Sequence, residues 1–235
     1  MHTLPRRLVA EFLGTLLLLA AVVGSGIMAD RLSGGNVALA LLCNTLATGA
    51  ALVALILTFG PISGAHLNPA VTLADAITGG FAWSHVPAYF AAQISGALAG
   101  VIAAHLMFGL PVTSVSTHVR SGPAQLFSEF VATFGLLAVI WGCSRSRPAA
   151  VPIAVGAYIT SAYWFTASTS FANPAVTLAR ALTNTFAGIR PVDALPFIGA
   201  QFIGALAATF AFQWLMPTLK QGRAVAHSPS KQMSQ

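Results

Sequence analysis

Residues 68–74 read NPAVTLA, and residues 173–179 read NPAVTLA again. The first copy runs on into Asp75, the second into Arg180. Proline suits the first position of a helix, because it has no N–H to leave unsatisfied and its φ is already helical. The asparagine before it is a good N-cap. Its side-chain oxygen accepts from the free N–H groups of the first turn, and its amide NH₂ is left as a donor. A helix therefore starts at each copy, and both helices are short. Pro69 to Thr78 ends at the C-cap signal Gly79-Gly80, and Pro174 runs only to about Asn184. Ten helical residues rise about 15 Å, half of the roughly 30 Å of hydrocarbon in a bilayer.

A lone N-P pair is weak evidence, since it favours turns anywhere. Here the repeat is longer. AEFLGTLLLLA (10–20) is matched by SEFVATFGLLA (128–138), pairing Glu11 with Glu129. AAQISGALAG (91–100) is matched by GAQFIGALAA (199–208), pairing Gln93 with Gln201. The order Glu-helix, NPA segment, AQ-helix thus occurs twice, at offsets of 118, 105 and 108 residues.

Composition says where such a chain lives. Only 7% of residues are charged and 56% are hydrophobic, with a mean hydropathy of +0.79. That is too little polar surface for a soluble domain of this length. Apolar stretches fall at roughly 8–28, 36–58, 86–108, 125–143, 151–167 and 194–216, most of them long enough to span hydrocarbon, with 151–167 at the lower limit. Six spans give three per half. An odd number makes the second half enter from the opposite face, an inverted repeat with a pseudo-two-fold axis in the membrane plane. The short NPA helices then enter from opposite faces and meet at the midplane. The expected fold is an all-α membrane protein of six transmembrane helices plus two re-entrant half-helices. It forms a single domain over 1–217, with repeats at about 8–108 and 125–217 and a flexible cytoplasmic tail at 218–235.

Arg6 and Arg7 precede the first apolar run, as in a signal peptide. That run is long, contains Glu11 and lacks a clear cleavage site, so a retained helix is expected. Cys43 and Cys143 fall within spans and are expected as packing residues. The net charge of +6 reads as topology and not as a nucleic-acid site. Alternating spans put seven Lys and Arg on one side and three on the other, which predicts cytoplasmic N- and C-termini in a plasma or inner membrane. No metal site or cofactor is called for.

Two asparagine donors and two positive helix ends at one midplane point make a polar constriction that repels cations. On SGAHLNPAVT (63–72), the second NPA, the paired glutamates and the AQ segments, the chain resembles the aquaporin/glycerol-facilitator (major intrinsic protein) family over residues 6–217. The resemblance implies a pore in each monomer, assembly as a homotetramer in the lipid bilayer, and passage of water and small neutral solutes. It implies an NPA constriction of Asn68, Pro69, Ala70, Asn173, Pro174 and Ala175. It further implies that Glu11 and Glu129 support the re-entrant loops, and that His66 lines the cytoplasmic vestibule, where simple packing is the alternative.

The departure from the family lies after the second NPA, where an arginine is usual and Val176 stands here. Counting without gaps, the other filter positions correspond to Thr48, Ser161 and Ser170. Four small uncharged residues imply a wide, weakly polar filter. Arg180, one turn beyond Val176 on the same face, is a second candidate for filter or mouth. The expectation is an aquaglyceroporin-type channel for glycerol-like polyols, water and neutral metalloid acids such as arsenite. The alternatives are a water-selective aquaporin or a secondary transporter, which also uses broken helices and inverted repeats. An intramembrane enzyme is disfavoured, since there is no HExxH and Gly24-Ser25-Gly26 has no recognisable base partner.

Overall fold

Each helix starts where a proline or capping residue permits, and the helices that end at Ser63 and Thr78 stop at a glycine in left-handed backbone. The computed structural model describes residues 2–216, so the tail expected at 218–235 lies outside the described residues. Among these there are eight α-helices and no strand: α1 Leu4–Leu32, α2 Val37–Ser63, α3 Pro69–Thr78, α4 Val86–Met107, α5 Pro123–Ser146, α6 Val151–Phe165, α7 Pro174–Arg180 and α8 Pro191–Leu215. The half-helix α3 is capped by the Asn68 side chain on Ala70 N–H and stopped by Gly79 at φ 82°. The half-helix α7 is capped by Asn173 on the N–H groups of Ala175 and Val176.

Five helices (α1, α2, α4 with its leading turn, α5 and α8) are long and apolar enough to cross a membrane. The sixth expected span, 151–167, is α6, with 15 residues. It rises about 22 Å. Its lower end is extended by the 3₁₀ turn Pro148–Ala150. Its upper end closes where the Thr166 hydroxyl donates to Ala162 O and the backbone becomes extended.

The halves repeat in packing as well as in sequence. α1 lies along α2 and α4, α5 lies along α6 and α8, and α2 meets α6 across the centre. Each half-helix packs on the last span of both repeats, α3 on α4 and α8, α7 on α8 and α4. Two glycines set the helix approach. A Cβ on Gly96 would collide with the carbonyl oxygen of Phe12, and one on its counterpart Gly204 would collide with that of Phe130. Both ends of the described chain lie on one face, here the terminal face; α7 points towards the opposite, far face.

The polarity of the bundle is inside-out. Glu11, Glu129, Gln93 and Gln201 are fully buried, while Leu17, Leu46, Leu57, Phe127, Phe210 and Trp214 project outwards. Such an exterior suits hydrocarbon. Both cysteines are free, and Cys43 lies on the exposed side of α2 and not in the packed interior expected for it.

Candidate functional site: a lumen between two half-helices

The loops leading into α3 and α7 are held in conformations that side chains disfavour. Ala65 and Leu67 have φ of 46° and 48°, and their counterparts Ser170 and Ala172 have φ of 49° and 49°. Left-handed backbone at non-glycine residues costs on the order of 1–3 kcal/mol each and persists only where the surroundings impose it. Two glutamates impose it. Glu11 accepts from His66 N–H at 3.0 Å and Leu67 N–H at 2.7 Å. Glu129 accepts from Phe171 N–H and Ala172 N–H, both at 2.9 Å. Gln93 braces Glu11 at 2.8 Å and Gln201 braces Glu129 at 2.6 Å, and each amide also donates to a threonine of a half-helix, Thr72 or Thr177. The glutamines had only their place in the repeat to mark them. Their bracing role became visible with the fold.

The half-helices meet at their caps. The Asn68 amide donates to Ala172 O and the Asn173 amide to Leu67 O, both at 2.8 Å. Each loop is thus tied to the other by the side chain that caps its own helix. An amide carries two N–H donors, so the cross-tie leaves one on each asparagine. Pro69, Ala70, Pro174 and Ala175 are buried in the two first turns and position these caps.

A cavity of about 270 Å³ runs through this meeting point, from Asp75 towards the terminal face to Arg180 towards the far face. Its wall repeats at helical spacing. Thr48, Leu52 and Ile56 come from α2, and Val155, Ile159 and Tyr163 from α6, with Leu18, Val22, Leu136 and Ile140 from α1 and α5. Thr48, Ser170 and Val176 are buried in this wall. Ser161 is absent from it: its side chain is exposed on the outer face of α6 and donates to Tyr158 O at 2.8 Å. The α6 residue in the wall is Tyr163, whose hydroxyl donates to Thr48 Oγ1 at 3.3 Å. The expected ring of four small residues is therefore corrected. One position belongs to a tyrosine, because Ile159 and Tyr163 are one turn apart on the same helix face and Ser161 points away from both.

The two mouths carry opposite chemistry at equivalent positions. Towards the terminal face, His66 meets Asp75 Oδ2 at 3.3 Å through Nε2 and Thr72 Oγ1 at 3.1 Å through Nδ1. Seven residues after Asn173, Arg180 takes the place of Asp75, and Phe171 takes the place of His66. The Arg180 guanidinium lies 3.4 Å from the centre of the Phe171 ring and its Nε donates to Ala187 O. This is a desolvated cation–π contact. Arg180 also borders a second cavity of about 240 Å³ on the far face, shared with Arg120, and so stands where vestibule and lumen join. Burial lowers the Arg120 pKa from the usual guanidinium value, against the opposing pull of Glu129 and Tyr163.

An inverted repeat, crossed half-helix caps and a lumen through them fit a membrane channel. Comparison with known proteins places it further. The Major intrinsic protein family model matches residues 2–149. Aquaglyceroporin AqpS of Rhizobium meliloti (strain 1021) is 58% identical over 213 residues, covering 91% of each chain. Aquaporin NIP1-3 of Oryza sativa subsp. japonica is 34% identical over 233 residues, covering 96% of this chain and 79% of the rice protein. The X-ray structure of the aquaglyceroporin from Plasmodium falciparum superposes with a TM-score of 0.69 at 22% identity, covering 92% of this chain and 98% of that one, which shows the shared fold. The chain belongs to the major intrinsic protein family. It is an integral membrane channel for water and small solutes and not an enzyme.

Proposed function

We propose that the channel passes small uncharged hydroxylated solutes, glycerol-type polyols and neutral metalloid acids such as protonated arsenite, together with water. One observation carries this reading. Between its charged mouths the lumen sets the spare N–H donors of Asn68 and Asn173 and the Thr48–Tyr163 hydroxyl pair against hydrocarbon from Leu18, Val22, Leu52, Ile56, Val155 and Ile159. A solute with hydroxyls along one edge and carbon along the other matches both sides of that lumen. Ions lose hydration there without gaining counter-charges, and the positive ends of α3 and α7 oppose cations in particular. The filter is assigned to Thr48, Tyr163, Ser170 and Val176, with Phe171 and Arg180 one turn beyond. Pro69, Ala70, Pro174 and Ala175 hold the two asparagines in place, Glu11 and Glu129 support the loops, and His66 with Asp75 forms the terminal-face mouth.

The excess of Lys and Arg on the terminal face supports a cytoplasmic location for that face in a plasma or inner membrane. Family resemblance supports a homotetramer.

The experiment is a stopped-flow panel of water, glycerol, urea and a neutral metalloid acid in proteoliposomes, comparing wild type with Val176→Arg. Val176 is 5% exposed in the lumen wall, one turn below Arg180, so the new guanidinium narrows the passage beside an existing one. Glycerol and metalloid-acid rates are expected to fall, and the water rate to fall less. Unchanged uptake of the bulkier solutes would refute the assignment of Val176.

A further inference from the structure

The chain has five acidic residues, and among the described residues none of them forms an ion pair with Arg120 or Arg180. Glu11 and Glu129 hold the loops, Asp75 faces His66, and Asp193 is engaged by the Arg190 side chain and the Arg120 N–H. Asp30 is exposed at the end of α1 and forms no ion pair among the described residues. Arg180 is only 2% exposed, yet among the described residues its side chain has Ala187 O as its one hydrogen-bond acceptor, at Nε. Arg120 is fixed by Gly188 O at 2.8 Å and Ser168 O at 3.2 Å. Its guanidinium lies 5.0 Å from the same Phe171 ring that Arg180 covers. Two like charges therefore border one vestibule of about 240 Å³, together with the polar side chains of Asn44, Gln125 and Thr169. Partly desolvated cations held this way are poorly compensated by protein alone, and an anion from solution would compensate both.

We propose that this vestibule is a binding site for oxyanions, the conjugate bases of weak oxyacids, held between Arg120 and Arg180 at the head of the lumen. The anion is held and not conducted. Beyond Arg180 the wall is Val176, Thr48, Tyr163, Val22 and Leu18, with no charge to replace its hydration. The species that crosses is the neutral acid. It forms by proton exchange in bulk solution and not at the arginines, where two positive charges favour the anion. The proposal rests on the channel reading and adds to it an anion site at the head of the lumen.

Inorganic phosphate is the probe, because it is anionic near neutral pH and does not cross lipid readily. The first measurement is independent of conduction. Thermal unfolding of the purified protein in detergent is followed with phosphate or with chloride at matched ionic strength. A ligand that binds only the folded state raises the midpoint as its concentration rises. Phosphate is expected to raise it for wild type and for the control Arg31→Gln, an exposed far-face arginine. The effect is expected to be lost in Arg120→Gln and Arg180→Gln. The second measurement is glycerol flux in proteoliposomes with phosphate on both sides. Phosphate should slow the wild type saturably, with the half-inhibiting concentration raised roughly tenfold or more by Arg120→Gln, the loss expected on removing one charged partner. If Arg180→Gln fails to fold, Arg120→Gln alone decides. A midpoint that phosphate leaves unmoved in wild type, or moves equally in Arg120→Gln, overturns the site. Absence of any glycerol flux in chloride sinks the channel reading, and the unfolding measurement still judges the site.

Discussion

Glu129 binds the N–H groups of two consecutive loop residues while Gln201 steadies it from α8. Hydrogen bonds to a charged group are each worth about 1.5–3 kcal/mol when neither partner can turn to water. Glu129→Gln keeps the shape but sets an NH₂ against at least one of those N–H donors. We expect a loss of about 2–4 kcal/mol of stability, read as a lower unfolding midpoint in detergent, and glycerol flux lowered by more than the loss of folded protein explains. A variant that unfolds and conducts like wild type would show that Thr169, Ser170 and Ala172 keep their left-handed backbone without the clamp. Residues of this kind were legible in the sequence because a glutamate or asparagine inside an apolar run has few purposes, and because each occurred twice. Tyr163 was not. Lumen, lipid and neighbouring helices all present hydrocarbon to α6, so no contrast in polarity marks which of its faces lines the passage. Counting back from Asn173 crosses a loop whose length the repeat does not preserve, as the unequal offsets of 118, 105 and 108 residues already indicate. The opposite charges after the two NPAVTLA copies also acquire a reason. Asp75 answers a histidine at one mouth, and Arg180 answers a phenylalanine at the other.

At the scale of elements, the half-helices pack on α4 and α8, and small residues let those two helices lie close to α1 and α5. The GALAG stretch of residues 96–100 is one case, with Gly96 against the backbone of Phe12 and Gly100 against that of Leu16. α8 offers an internal comparison. A Cβ on Gly204 would run into the Phe130 carbonyl of α5, whereas one on Gly199 meets nothing within 4 Å. Gly204→Ala must push α5 from α8 and is expected to cost about 1–3 kcal/mol through overpacking. Gly199→Ala is expected to be neutral or to gain about 0.5–1 kcal/mol from helix propensity and a less flexible unfolded chain. Unfolding midpoints in one detergent check the pair. Equal shifts would mean that the crossing distance does not limit stability. The number of spans, and the shortness of the one at 151–167, were legible from hydrophobic runs, but the point where α6 ends was not. The run 151–167 continues two residues past the helix, which ends where the backbone becomes extended at Thr166, a change that hydropathy does not record.

For the whole molecule, the question is whether the inverted repeat serves a channel or a transporter, since both use broken helices at the midplane. Coupling requires an ionisable group there that changes its occupancy as access alternates. The groups that meet at the midplane are amides: Asn68 and Asn173, each donating to a carbonyl of the opposite loop. The glutamates nearest them accept four and three hydrogen bonds respectively from fixed donors and have no spare role. Two helix N-termini, each equivalent to about half a positive charge, face the same point and oppose protons and metal cations. Glycerol flux should therefore be the same with or without an imposed proton or sodium gradient. A pH dye trapped in the vesicles should report no proton entry above that of protein-free vesicles. Placing carboxylates at the midplane with Asn68→Asp and Asn173→Asp should raise proton entry, because each replaces a donor with a negative charge at the positive helix ends. Glycerol flux that follows the gradient in the wild type would make the molecule a transporter. Gradient-independent flux, with proton entry appearing only in the aspartate variants, would locate the barrier to cations at the meeting of α3 and α7.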